Sequence, residues 1–218
     1  MKTDRDLGLK VEDFLRRKGV ETPINYAHDM THDSQVLKIA TNFFDIMRTL
    51  GLDMQDDSLK DTPQRMAKMF VDEIFSGLDY ANFPKCTTIE NKMGYDEMVL
   101  EKDITCISTC EHHWTVIDQV CHIAYIPKGK VIGLSKLNRV AKFFASRPQV
   151  QERFVEQVYW ALVFILGTKD IAVVAQGKHF CVVQRGIEDH ASSTITSKLG
   201  GKFKSDSKLR AEFMSFIR

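Results

Sequence analysis

The chain of 218 residues has little that would direct it to a membrane, a nucleic acid or an oxidising compartment. Its longest apolar run, Val158 to Leu166, covers less than half of the roughly 20 residues that a bilayer-crossing helix needs. The opening residues Met1 to Asp6 lack the apolar region of a secretion signal, so a cytoplasmic location is expected. Net charge is nearly absent: 30 Lys and Arg stand against 29 Asp and Glu, a formal +1. No global field steers the protein to nucleic acid or anionic lipid, and an anionic ligand has to be met by a local cluster. The five cysteines are odd in number and irregularly spaced, unlike a disulfide framework. Also missing are a Cys-x-x-Cys knuckle, a Gly-rich phosphate loop, internal repeats and low-complexity segments. What is present, 44% hydrophobic and 27% charged residues, is the composition of a folded globular chain.

The first third reads as helical. Val11, Phe14 and Leu15 mark a short amphipathic helix closed by Lys18-Gly19, and Gly19 to Asp33 reads as a connecting arm carrying His28 and His32 as solvated loop histidines. Val36, Ala40, Phe43, Met47 and Leu50 predict a helix ending at Gly51. Asp61-Thr62-Pro63 predicts a capped start for a third helix, with Met66, Met69, Phe70 and Ile74 as its buried stripe. Arg65 and Lys68 share a face off that stripe and read, by themselves, as a solvated basic surface. A loop from Gly77 to Cys86 divides an N-terminal helical region, 1–86, from a second part, 87–218.

Beyond it the period drops toward two. Met98 to Ile107 and Val116 to Ile126 predict two strands. Ser135 is the expected N-cap of a helix with Leu137, Val140, Ala141 and Phe144 on its apolar face, ended by Arg147-Pro148. A second helix runs on Val150, Phe154, Val158, Leu162 and Ile165 to Gly167, with Trp160 and Phe164 as core or subunit contacts. Ile171 to Val174 predicts a strand, Gly177 a bulge or turn, His179 to Val183 an extended continuation, and Ser192 to Ser197 another strand before a final helix on Leu209, Phe213 and Phe216. The core order is strand, strand, helix, helix, strand, strand.

Cys110-Glu111-His112-His113 and His179-Phe180-Cys181 concentrate two thiols and three imidazoles, groups that are costly to bury unless bonded. Cys110 and His113 lie at the turn between two strands, where both can reach one ion; on a strand His179 and Cys181 would share a face. Such nitrogen and sulfur donors favour zinc over magnesium or calcium. Three ligands, Cys110, His113 and Cys181, with a fourth position open, fit a catalytic zinc whose water has a pKa of about 7, with His112 and His179 free to carry its proton. A structural zinc, or no metal, stays open on spacing alone.

Cys110-Glu111-His112-His113, Ile123 to Pro127, Gly133 to Arg139, Arg147 to Arg153, His179-Phe180-Cys181 and Arg185-Gly186-Ile187 together resemble GTP cyclohydrolase I. So do Asp61 to Arg65 and Phe75-Ser76-Gly77, and the likeness runs nearly end to end. The resemblance implies conversion of GTP and water to formate and 7,8-dihydroneopterin triphosphate, the first step toward tetrahydrofolate and other pterins. It implies an α+β tunnelling fold over 87–218: a four-stranded antiparallel sheet with two helices between its second and third strands, joined to neighbours as a barrel. Two stacked pentamers would form a homodecamer with active sites at subunit interfaces, and neither nucleic acid nor membrane is a partner.

Carried over residue by residue, the resemblance makes Cys110, His113 and Cys181 the Zn2+ ligands and His112 and His179 the proton-transfer pair, and makes Ser135 an aid to the sugar rearrangement. Glu152 would accept two parallel hydrogen bonds from N1–H and the exocyclic amine of guanine, a pair that adenine does not offer. Gln151 resembles a supporting base contact, and Lys136, Arg139, Arg185, Arg65 and Lys68 resemble a triphosphate pocket. Trp114 and Gln119 depart from the usual phenylalanine and glycine, so a local change of bulge or twist is expected there. Cys106 and Cys121 read as buried apolar residues. An alternative is an oligomeric barrel with structural zinc that binds a purine or pterin without turnover. A zinc nucleobase deaminase is disfavoured because its His-x-Glu and Pro-Cys-x-x-Cys signature is missing.

Overall fold

The side-chain period is reflected directly in the backbone. The computed structural model describes residues 2–217 and is α+β. Helix α1 (Arg5–Lys18) starts where the Asp4 carboxylate accepts the Leu7 N–H at 3.0 Å and stops at Gly19, whose φ of 67° suits a residue without a Cβ. Helix α2 (His32–Thr49) is capped by Thr31. His32 is therefore a helix residue, not a loop one, and its ring bonds Asp33 and Asp72 at 3.0 and 2.6 Å. Helix α3 (Thr62–Lys68) has no side-chain cap from Asp61. It buries Pro63 and Ala67 and passes into a π-helical turn, Met69–Ile74, that buries Phe70. Short 3-10 turns then occupy the expected loop.

Strands β1 (Thr88–Glu90) and β4 (Lys130–Ile132) form a small antiparallel pair. The main sheet is built from β2 (Val99–Cys110), β3 (Val116–Tyr125), β6 (Ile171–His179) and β7 (Thr194–Leu199), antiparallel throughout. A two-residue strand, β5 (Pro148–Gln149), runs parallel to the end of β2, giving the order β5-β2-β3-β6-β7. Between β3 and β6 the chain forms α4 (Leu134–Ala145) and α5 (Gln151–Leu166). These cover one face: Leu137, Val140, Phe144, Phe154, Val158 and Leu162 pack on Ile104, Cys106, Cys121, Ile123, Val173 and Ala175. Val11 and Leu15 of α1 enter the same core, and Phe14 meets Trp160 and Phe164. Beyond the turn α6 (Phe180–Val183) and strand β7, helices α7 (Gly201–Ser205) and α8 (Ser207–Phe216) cover the opposite face with Phe203 and Phe213. Cys106 and Cys121 are buried as expected, and burial pushes the Cys106 thiol up to about 12.

Four further local expectations are corrected. Gly177 is neither bulge nor turn; it pairs in register with Gln119 and Thr194. A Cβ there would lie 2.7 Å from the Gln119 Cβ, so glycine is demanded by close approach. The register shift lies instead on β2, between Glu101 and Ile104, with Asp103 at φ 59°, and no shift accompanies Gln119. Ser135 is not an N-cap: α4 begins at Leu134 after Gly133, leaving Ser135 exposed inside the first turn. Finally, the extended run stops at His179, and Phe180–Val183 coils into a helical turn.

Candidate active site and metal centre

Strand β2 delivers Cys110, and the chain turns before β3 begins at Val116. The turn is fixed by the Cys110 N–H donating to Thr115 O and the Trp114 N–H to Cys110 O, both at 2.8 Å. Trp114 adopts a left-handed φ of 54° and packs its ring 5.2 Å from both Phe70 and Phe75, tying the turn to the segment after α3. The Glu111 N–H donates to Gln149 O of β5 at 3.1 Å. The Glu111 carboxylate takes two hydrogen bonds from Arg153 of α5, at 2.6 and 3.4 Å. Both charges are about four-fifths buried, so the pair is far more constraining than a surface ion pair.

Opposite the turn, β6 ends at His179, paired with Ile117, and the turn of α6 carries Cys181 back toward Cys110. The donor atoms of Cys110, His113 and Cys181 lie within 4.8 Å of one another. Burial and the adjoining Cys110 sulfur hold the Cys181 thiol above its usual range, because two thiolates side by side repel. A divalent cation removes that repulsion, and these residues fit one: two thiols and one imidazole from two separate segments converge on a point.

His112 stands beside the group, its Nδ1 4.0 Å from the Cys110 Sγ, with a mostly exposed ring. His179 is half-buried; burial lowers its pKa, and the charge of Glu152 opposes that shift. Its Nε2 lies 2.8 Å from the Oε1 of Gln151, the buried first residue of α5. Glu152 follows, exposed, and with Arg153 and Glu156 lines an open cleft of about 430 Å³ against Gly19, Val20, Glu21 and Pro23. One end of α5 thus holds Gln151 on His179, Glu152 in a cleft and Arg153 on Glu111 of the turn after β2.

The cations are more dispersed. Arg185 is exposed just after α6, and Ser135, Lys136 and Arg139 occupy the first turns of α4. Arg65 pairs with Asp61 at 3.5 Å, while Lys68 lines a surface cleft with His32, Gln64 and Asp72. Among the described residues, no ion pair or hydrogen bond joins these five cations to the thiol and imidazole group. The Glu111–Arg153 pair and the Trp114 stacking had no signal in spacing, because their partners are remote in sequence; only the enclosing runs, Cys110 to His113 and Arg147 to Arg153, pointed near them.

A model of the GTP cyclohydrolase I family matches residues 39–218. The chain is 53% identical over 210 residues to GTP cyclohydrolase 1 of Aeromonas hydrophila subsp. hydrophila, covering 96% of each protein. It is 54% identical to GTP cyclohydrolase 1 of Vibrio cholerae serotype O1 over 208 residues, 95% of each. It is also 54% identical to that of Escherichia coli O1:K1 / APEC over 209 residues, 95% of this chain and 94% of the relative. With that coverage and that identity, the chain belongs to the GTP cyclohydrolase I family.

Proposed function

We propose that this chain converts GTP and water to formate and 7,8-dihydroneopterin triphosphate, the first step of folate and pterin synthesis, in the cytoplasm. The observation that carries the reading is the convergence of Cys110, His113 and Cys181 in a chain of this family. Those three residues would hold the ion, and their sulfur and nitrogen donors suit zinc. When bound, the ion supplies Lewis-acid chemistry, acidifying water beside C8 of guanine. His112 and His179 transfer the protons needed to activate that water, open the imidazole ring and protonate the ribose ring oxygen. Glu152 orients the base through N1–H and the exocyclic amine, and Ser135 assists the sugar rearrangement.

Lys136, Arg139 and Arg185, with Arg65 and Lys68, meet the triphosphate. Among the described residues Arg65 pairs with Asp61 and Lys68 faces a separate surface cleft, neither bonded to the thiol group, which supports a site completed across a subunit interface. Open sheet edges support assembly too: β2 is paired by β5 only at Thr109 and Cys110, and β7 is an end strand. Exposed Leu37, Ile46 and Leu50 around α2 add apolar surface for burial between subunits. The assembly we infer is a decamer of two stacked pentamers, with barrels formed from the sheets of 87–218 and the helical region 1–86 around them. Incubating metal-loaded protein with GTP tests the activity: formate and a pterin that fluoresces after oxidation should appear together. Appearance of neither would sink the proposal.

A further inference from the structure

The side chain of Gln151 is buried, and its amide is committed at both ends. Its Nε2 lies 3.0 Å from the carbonyl oxygens of Ala175 and Thr194, on β6 and β7, while its Oε1 lies 2.8 Å from Nε2 of His179. Carbonyl oxygens only accept, so the amide nitrogen must face them and spends both protons there. The opposite end is then an acceptor, and its bond to His179 requires a proton on the ring Nε2. A neutral imidazole carries one ring proton, which leaves the lone pair on Nδ1. That Nδ1 makes no hydrogen bond among the described residues.

We propose that Gln151 is a positioning residue for the reaction: it fixes His179 as the Nε2–H tautomer, with Nδ1 as the proton acceptor, and its side chain does not read the base. The inference rests on the assignment of His179 to proton transfer. The surroundings are shaped for this role. A Cβ at Gly177 would fall 3.2 Å from Gln151 Oε1, so the missing side chain keeps open the path by which the amide reaches His179. A third group that sets the tautomer and aim of a catalytic imidazole is a recurrent requirement of proton transfer, and the wrong tautomer is costly even where geometry survives.

Gln151→Leu keeps the approximate volume and removes the acceptor and both donors. In metal-loaded protein, kcat for formate release should fall about 10²-fold or more, with KM for GTP changed by less than about threefold and metal content per subunit unchanged. Added to His179→Ala, the same substitution should cost less than a further threefold or so, because its effect passes through that ring. A raised KM at constant kcat would make Gln151 a base contact, and losses that multiply in the double variant would make it independent of His179; either overturns the proposal. Should Gln151→Leu fail to fold, solid-state 15N spectra of wild-type protein labelled at the histidine ring nitrogens decide the matter. The signals absent from His179→Ala should report a protonated Nε2 and a bare Nδ1, and a protonated Nδ1 with bare Nε2 would overturn the assignment. Wild-type protein that releases no formate would remove the reaction while leaving the tautomer measurable, so the two failures are distinguishable.

Discussion

At single residues the proposed site divides into ligands and proton carriers. Burial and the adjoining Cys110 sulfur hold the Cys181 thiol up, and a bound cation would offset both. Cys181→Ser should therefore lose metal and activity together, whereas His179→Ala should keep its metal, read by elemental analysis, and lose about 10²–10⁴ in kcat. Metal lost from His179→Ala would contradict this division of labour. Glu152→Gln replaces one acceptor with a donor facing the donors of guanine, so kcat/KM for GTP should drop at least about 10²-fold; an unchanged value would remove Glu152 from base recognition. Cys110, His113 and Cys181 stood out because short spacings at a turn and near a strand end put their donors in reach of one ion, and the fold brings those donors within 4.8 Å of one another. Arg153 did not, since its partner Glu111 is 42 residues away and only the folded sheet brings them together. Arg153→Leu would leave the Glu111 carboxylate mostly buried without its partner and should cost about 1–3 kcal/mol of stability, measured by denaturant unfolding.

At the scale of elements, apolar period fixed which segments became helix or strand, and packing fixed where they stopped. Val11 and Leu15 on α1, and Leu137 to Phe144 on α4, were readable because a buried stripe repeats. The end of β6 was not: Phe180 to Val183 have strand-forming side chains, yet the helical turn there carries Cys181 toward Cys110 and His113. The helix start at Leu134 escaped for a similar reason, Ser135 being a good cap that local geometry leaves unused. Gly177 offers a direct test of packing between β3 and β6. Gly177→Ala should destabilise by about 1–3 kcal/mol through its clash with the Gln119 Cβ, and Gln119→Gly should restore much of that loss whereas Gln119→Ala should not. Equal rescue by both would mean that the clash is not at the Cβ. Substituting the buried, unpartnered Gln119 amide by Leu should itself be neutral or stabilising.

For the whole molecule, stability should depend on acidity through His122, buried on β3 with its Nδ1 accepting the Asp103 N–H at 3.1 Å. Burial lowers its pKa below 6.5, and Asp103 only partly opposes this. The unfolded chain therefore takes up the proton first as pH falls through about 6.5, and stability declines until the folded ring titrates as well. Melting temperature should fall between pH 7 and pH 5, and less steeply in His122→Asn, which keeps an acceptor but cannot titrate; parallel curves would contradict the assignment. Assembly is the second molecular expectation: light scattering should give about 250 kDa for ten subunits of 25.0 kDa, and a stable monomer would leave the open sheet edges unexplained. Whether the Cys110, His113 and Cys181 group holds the ion on which turnover of GTP depends is decided by adding zinc stepwise to metal-free protein while recording formate release. Activity should rise with bound zinc and saturate at one ion per subunit, with Cys181→Ser neither binding nor turning over. Formate release at full rate without metal, or none from fully loaded protein, would contradict it.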